Sequence, residues 1–371
     1  IAKASGNYLY DTDGKSYLDF IAGVSACPLG HSHPNVIKAI QDQTNKYMHV
    51  MVYGEFIQAP SVKLCKKLVN LLPENQEVVY LTNSGTEAIE GALKLAKRVT
   101  QRSGLIAADQ SYHGSTHGAL SLLGNEEQKK GYRPLLTGVN FIEFNKDSDL
   151  KKINEKTAAV LLETIQGGAG FIEPEDNYLK KVKGRCSEVG ALLILDEIQP
   201  GFGRTGKMFG FEKYGVSPDI VVMGKALGGG LPIGAFSASS SLMKKLELNP
   251  KLGHITTFGG NPVIAASALA TLKEIDDSEI INKISDKEKL FRKYLVNPKI
   301  KKIQGTGLML APIFKNDKIP NYLVHQCLKK GLLLFWLLWE KNAIRISPPL
   351  TISEEEIIHG CKIISDTLDE I

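Results

Sequence analysis

The stretch "ALLILDEIQPGFGRTG", residues 191–206, decides the fold. Ala191 to Leu195 is an unbroken aliphatic run of strand length. A run without polar alternation belongs to a strand covered on both faces, the habit of parallel sheets held between helices. Asp196 and Glu197 follow at once, then Gln199, Pro200 and glycines, so this strand ends in carboxylates where the chain turns. "EVVYLTN" (Glu77–Asn83), "AAVLLETI" (Ala158–Ile165) and "DIVVMGK" (Asp219–Lys225) read the same way. Helical patterns lie between them, such as "TEAIEGALKLAKRVTQR" (Thr86–Arg102) and "NYLKKVKGRCSEVG" (Asn177–Gly190), and the alternation predicts an open α/β layer structure. Ligands of such sheets sit at the carboxyl ends of the strands. Four ends here are polar ("TNSGTE", "ETIQGG", "DEIQPG" and "GKALGGG"), which predicts one common pocket.

The length of 371 residues and 43% hydrophobic content suit two domains, or one large domain with a lobe. Helical patterns at Asn261–Ile275, Lys283–Leu295 and Glu354–Glu370, with a strand at Gly307–Phe314, predict a second, smaller α/β lobe. The N-terminal segment is expected to fold against it. The division is 1–45, 46–262 and 263–371. "GLLLFWLLWE" (Gly331–Glu340) is the longest apolar run; it is too short to span a bilayer and reads as core. The chain opens at Ile1 without an initiator Met, so native residues are expected to precede it, and no secretory pattern opens it. Cys27, Cys65, Cys186, Cys327 and Cys361 are scattered and odd in number, as in reduced cytoplasmic proteins. A net charge of +5, with both signs interspersed, favours small anions and argues against nucleic acid.

Ser84 and Glu87 have the spacing of a capping box at the start of a helix. That helix terminus is also a place for a phosphate, with Gly85 allowing close approach and Thr86 offering a hydroxyl; the two readings are compatible. No P-loop pattern is present. Lys225, at the tip of a buried strand, either snorkels to the surface or is a Schiff-base lysine whose amine is kept neutral by desolvation. Asp196 needs a positive partner. If the carbonyl compound is pyridoxal phosphate, the protonated pyridine nitrogen is that partner, and Gln199 can donate to the phenolate oxygen. Tyr112, in "SYHG", is the candidate to stack on the ring, while Thr256 and Thr257 beside two glycines are candidates for the phosphate. Glu197 reads as the partner of a nearby basic residue. His31 and His33 lack a third ligand at suitable spacing, so no metal site is expected.

Together these pieces resemble the class III (ω-amino acid) aminotransferases, of the fold type I pyridoxal-phosphate enzymes. The resemblance runs from "GNYLYDTDGKSYLDFIAGVSACPLGHSHPNV" through "TNSGTEA", "YHG", "ETIQGG" and "LDEIQPGFGRTG…PDIVVMGKALGGG" to "TTFGGNP" and "IRISPPL". Asp196 and Lys225 are 225 − 196 = 29 residues apart, as in that family. It implies a large domain with a mainly parallel sheet between helices, plus a small α/β domain formed by both termini. It implies that Lys225 carries the cofactor and moves a proton at the substrate carbon. Asp196 would hold the ring nitrogen, Gln199 the phenolate oxygen, and Gly85 and Thr86 the phosphate near Ser84; Tyr112 and His113 would lie by the ring. Thr257 would reach the neighbouring subunit's phosphate, making a homodimer with shared sites. Arg345 resembles the arginine that grips a substrate carboxylate, and Glu163 the glutamate that masks it. Val24 and Tyr53 are implied pocket walls.

The length and opening are most similar to acetylornithine and ornithine aminotransferases. That implies transfer of a terminal amino group from N-acetylornithine or ornithine to 2-oxoglutarate. Ser115 stands where acetylornithine enzymes carry Arg, Thr164 and Gly168 replace Pro and Glu of the usual "EPIQGE", and Val24 replaces the Tyr of ornithine enzymes. Another ω-amino acid (4-aminobutyrate-like) or an amine is therefore the alternative donor. A racemase or aminomutase on the same scaffold is a rival. So is a cofactor-free nucleotide-binding protein, although Gly228, Gly230 and Gly234 miss the G-x-G-x-x-G spacing.

Overall fold

The computed structural model describes residues 1–371. Three short N-terminal strands, β1 (Lys3–Ser5), β2 (Tyr8–Tyr10) and β3 (Ser16–Asp19), form an antiparallel meander. Seven strands then build the central sheet: β4 (Val78–Thr82), β5 (Gly104–Ala108), β6 (Val139–Ile142), β7 (Thr157–Glu163), β8 (Leu192–Asp196), β9 (Ile220–Gly224) and β10 (Gly234–Ala238). Their order is β4-β10-β9-β8-β7-β5-β6, and only β10 runs against its neighbours. The aliphatic runs are continuous because both faces are covered. Val160, Leu162, Leu193, Leu195, Val221 and Met223 enter one core, while Ala159, Leu161, Ile194, Ile220 and Val222 enter the other. All expected strands and helices are present, with ends shifted by a residue or two. The parallel direction brings the carboxyl ends of β4, β7, β8 and β9 to one edge.

Beyond the sheet come the hairpin β11 (Ile300–Thr306) and β12 (Met309–Phe314), then β13 (Leu332–Leu333), β14 (Phe335–Trp336) and β15 (Ile344–Arg345). β13 pairs in parallel with β3, so the chain's two ends share one sheet. Leu18 and Phe20 lie in one core cluster with Phe291, Leu323, Ile357 and Leu368. We propose the division 1–45, 46–262 and 263–371 on this packing. The helix Pro262–Asp277 packs on the large core through Ala265, Ala268, Leu272 and Ile275, as Leu29 and Val36 of the N-terminal segment also do. The run Gly331–Glu340 does not all become core. Leu332, Leu334 and Leu337 are buried, whereas Phe335 and Leu338 are about half exposed. No helix is long and apolar enough to cross a membrane.

Candidate active site

At the sheet edge a cavity of about 520 Å³ is lined by Val24, Gly85, Thr86, Tyr112, His113, Ser115, Glu163, Asp196, Gln199, Lys225 and Arg345 among others. The four polar strand ends thus meet in one place. β7 and β8 are in register at Glu163↔Asp196, and Lys225 follows β9 directly, at a strained φ of +44°.

Asp196 is buried. Its Oδ2 is 2.8 Å from His113 Nδ1, and its Oδ1 accepts from the Ile198 N–H at 3.0 Å, so the carboxylate is fixed from two sides. His113 Nε2 is buried without a partner. Burial, and next the positive Arg345, push the Lys225 amine down to about 8, against the pull of Asp196 and Glu163. An amine so placed is readily uncharged and nucleophilic.

Ser84 caps the helix Gly85–Thr100, accepting from the Glu87 N–H at 3.3 Å. The Glu87 carboxylate reaches back to the Asn83 N–H at 2.7 Å, one residue earlier than the capping-box pattern predicts. The N–H groups of Gly85 and Thr86 lie in the first turn and have no intrahelical partner. A Cβ on Gly85 would come within 2.7 Å of Ile198 Cδ1, so a larger residue there would push the Ile198 side chain aside. The Thr86 hydroxyl bonds Thr116 Oγ1 at 2.7 Å, and that hydroxyl donates onward to Glu90 at 2.6 Å. The Thr86 proton is therefore engaged within the protein.

Val24 enters the cavity on an unusual turn. Ala22, Gly23, Val24 and Ser25 all have φ between +51° and +65°, a conformation costing L-residues roughly 1–2 kcal/mol each. Buried Asp19 holds it. Its Oδ1 accepts from the Ile21 and Ala22 N–H groups at 2.7 and 3.0 Å, and its Oδ2 pairs with His31 Nε2 at 2.8 Å. Ser25 Oγ then accepts from Gln199 Nε2 at 3.5 Å. Asp19 did not stand out in the sequence and His31 was weighed there only as a metal ligand; four consecutive left-handed residues, three of them not glycine, leave no composition signal.

Arg345 is 5% exposed, its guanidinium lies 5.7 Å from the Phe171 ring centre, and its Nε and Nη1 have no partner. Burial lowers it to about 10, with Glu163 opposing. Glu163 forms no ion pair with it. The Glu163 carboxylate instead accepts from the Tyr112 and Gly167 N–H groups at 3.2 and 2.9 Å, and burial raises it to about 7. Glu163 and Arg345 line the same cavity, and the masking is expected when an ω-amino donor is bound.

Tyr53 does not line this cavity within one chain; it lies in a neighbouring apolar depression with Phe56, Ile57, Leu252 and Ile255. Thr257 is exposed and outside its own chain's cavity, as a residue expected to serve a neighbouring subunit would be. Glu197 has no basic partner. It is fully buried and accepts from the Thr164 hydroxyl and from the Gly210 and Phe211 N–H groups, and burial raises it to about 8. Thr164 at the usual Pro position was the available signal for that contact.

A lysine and a fixed carboxylate on adjacent strand ends thus meet beside a helix N-terminus in one cavity. The sequence profile described as aminotransferase class-III matches residues 1–368, and the chain belongs to that family. An acetylornithine aminotransferase of Clostridium acetobutylicum is 39% identical over 99% of this chain and 95% of the relative. A putrescine aminotransferase of Pectobacterium atrosepticum is 38% identical, over 100% and 82%. The crystal structure of an ornithine aminotransferase from Toxoplasma gondii superposes with a TM-score of 0.93 at 30% identity, covering 100% of this chain and 90% of that one. An omega transaminase from Pseudomonas jessenii in complex with PMP gives 0.94 at 26% identity, covering 100% and 92%. The fold is fold type I, as the sequence resemblance implied.

Proposed function

We propose that the chain is a pyridoxal-phosphate-dependent aminotransferase that passes the terminal amino group of an ω-amino donor to 2-oxoglutarate. The observation that carries the reading is the Lys225–Asp196–His113 set, in which one buried carboxylate is oriented by a histidine beside an amine held near neutrality. The names of relatives make N-acetylornithine the reference donor.

The residues suit the cofactor. His113 Nε2 is a buried polar atom without a protein partner, and the Gly85 and Thr86 N–H groups of the helix terminus have no intrahelical partner. Asp196 would face the ring nitrogen and Gln199 the ring oxygen. Tyr112 and His113 would lie along the ring, and Ser84, Gly85 and Thr86 would receive the phosphate. When bound, pyridoxal phosphate supplies a carbonyl for amines and a ring that withdraws electrons from the amino carbon. Lys225 Nζ, down at about 8, takes a proton from that carbon and returns it. Arg345, with two unpartnered nitrogens, binds the carboxylate of the oxo acid. Glu163, held on backbone donors, contributes negative charge near Lys225 and Arg345 without occupying the guanidinium.

A homodimer belongs to the proposal. Met48, Met51, Phe56, Ile57, Leu252, Ile255 and Phe258 are exposed apolar residues of the region that carries Tyr53 and Thr257, a surface that calls for cover. Thr257 and Tyr53 reach a Lys225 cavity only through a second copy. Five unpaired cysteines support a reducing, cytoplasmic setting.

The test is colour. Protein given pyridoxal phosphate is expected to turn yellow and to bleach with glutamate, releasing 2-oxoglutarate. Lys225→Ala is expected to lose both responses. Protein that stays colourless with the cofactor refutes the reading.

A further inference from the structure

The loop that follows β7 serves the arginine end of the cavity twice. Its Gly167 N–H holds Glu163, and its Phe171 ring lies against Arg345. The loop is short and closed. Gln166 and Ile172 exchange two backbone hydrogen bonds, at 3.0 and 3.1 Å, and Gln304 Nε2 of β11 donates to the Gly170 oxygen at 2.8 Å. Closing the turn puts Gly170 at φ +117° and Phe171 at φ +56°. Glycine takes such angles freely, whereas a residue with a Cβ is strained there. Strain of this kind persists where the surroundings hold it, and it collects at functional sites.

The Phe171 side chain is fully buried, in a core cluster with Ile165, Met309, Ala311, Leu337 and Ala343. Apart from Ile165 these belong to the chain beyond the sheet, as Arg345 does, so the ring reaches from the sheet's part of the chain to the arginine's. Arg345 has little else to hold it. Its Nε and Nη1 have no partner, and Glu163 is held by the Tyr112 and Gly167 N–H groups. Its guanidinium carbon stands over the Phe171 ring, 5.7 Å from the centre, within the range at which a cation is drawn to an aromatic face. A flat ring orients a planar guanidinium without using its N–H groups, which stay free to pair with a carboxylate. Ring and guanidinium meet inside one chain, both shielded from solvent without a second copy.

Resting on the aminotransferase reading, we propose that Phe171 is the positioning residue for Arg345: its ring, set by the strained turn, holds the guanidinium in the orientation that receives the substrate carboxylate. Phe171 touches no reacting atom and acts through the arginine. Its loss therefore weakens carboxylate binding and leaves proton transfer at Lys225 unchanged.

Glutarate, a dicarboxylate with neither an amino nor a carbonyl group to react, is titrated by calorimetry into protein loaded with pyridoxal phosphate. Phe171→Met keeps an apolar side chain of similar volume and removes the ring face. It is expected to raise the glutarate Kd about 5- to 30-fold, the ratio equivalent to about 1–2 kcal/mol. In an Arg345→Gln background the same substitution is expected to change Kd by less than about twofold, because no cation remains for the ring to hold. With glutamate and 2-oxoglutarate, KM is expected to rise with the Kd while kcat stays within about twofold of the parent. Phe171→Leu is read the same way, and urea unfolding checks that each variant is folded. If glutamate bleaches the parent but the Kd is unchanged by both variants, or rises by the same factor in both backgrounds, the proposal is overturned and the aminotransferase reading stands. If glutamate does not bleach the parent, the aminotransferase reading falls and this proposal with it.

Discussion

Replacing Lys225 by Met in the cofactor-free protein tests whether the strand-end amine is forced from its charged state. The amine lies at about 8 against its usual 10.5, burial being the largest cause and Arg345 the next. The gap, 10.5 − 8, multiplied by 1.36 kcal/mol per pH unit, gives about 3 kcal/mol. Part of Lys225 opens on the cavity, where water screens it, so about 2 kcal/mol is the expected cost of keeping it protonated. Between 8 and 10.5 the unfolded chain keeps the lysine proton while the folded chain has lost it, so stability rises with pH there. Below about 8 both states hold the proton and the full penalty stands. Lys225→Met is therefore expected to be about 2 kcal/mol more stable than the parent near pH 7, the advantage shrinking as pH approaches 10.5. Urea unfolding of both proteins across that range measures it. A difference independent of pH, or a variant less stable near neutrality, refutes the argument.

Gly168→Glu restores a side chain where its Cβ would stand 2.9 Å from Trp339 Nε1 and 3.2 Å from Leu338 Cβ. It is expected to cost about 1–3 kcal/mol in urea unfolding, and Trp339→Ala in the same chain to recover much of that. His31 is raised from 6.5 to about 9, first by Asp19 and then by Cys27, so its contribution is complete below 6.5 and is lost as pH rises through about 9. Asp19→Asn keeps an acceptor for the turn and is expected to flatten most of that pH dependence in the same unfolding assay. Arg345→Gln is expected to lower kcat/KM for 2-oxoglutarate by about 10- to 100-fold, while single-turnover reaction with an amine donor changes less. Equal losses in both half-reactions would count against a carboxylate-binding role.

The apolar run Gly331–Glu340 shows where sequence reading stops. Its letters read as core, and Leu332, Leu334 and Leu337 are core. The two-residue strands β13 and β14 turn Phe335 and Leu338 to the cavity instead, and hydropathy cannot separate a buried wall from a ligand-facing one. The backbone partners of Glu163 were not legible either: the Tyr112 and Gly167 N–H groups that hold its carboxylate are brought near only by folding.

The sequence by itself determined the sheet and the chemistry at its edge. Unbroken aliphatic runs bury on both faces, parallel strands put their carboxyl ends together, and a lysine and an aspartate at two such ends must meet. Ser84 before its helix was equally legible, because capping is local. Only the tertiary structure decided what surrounds that pair. The Asp196–His113 contact spans residues far apart in the chain, the left-handed turn of Ala22–Ser25 stands because Asp19 and His31 hold it, and Arg345 meets Phe335 through a strand register no composition encodes. Local energies specify elements; long-range packing selects which side chains face the cavity.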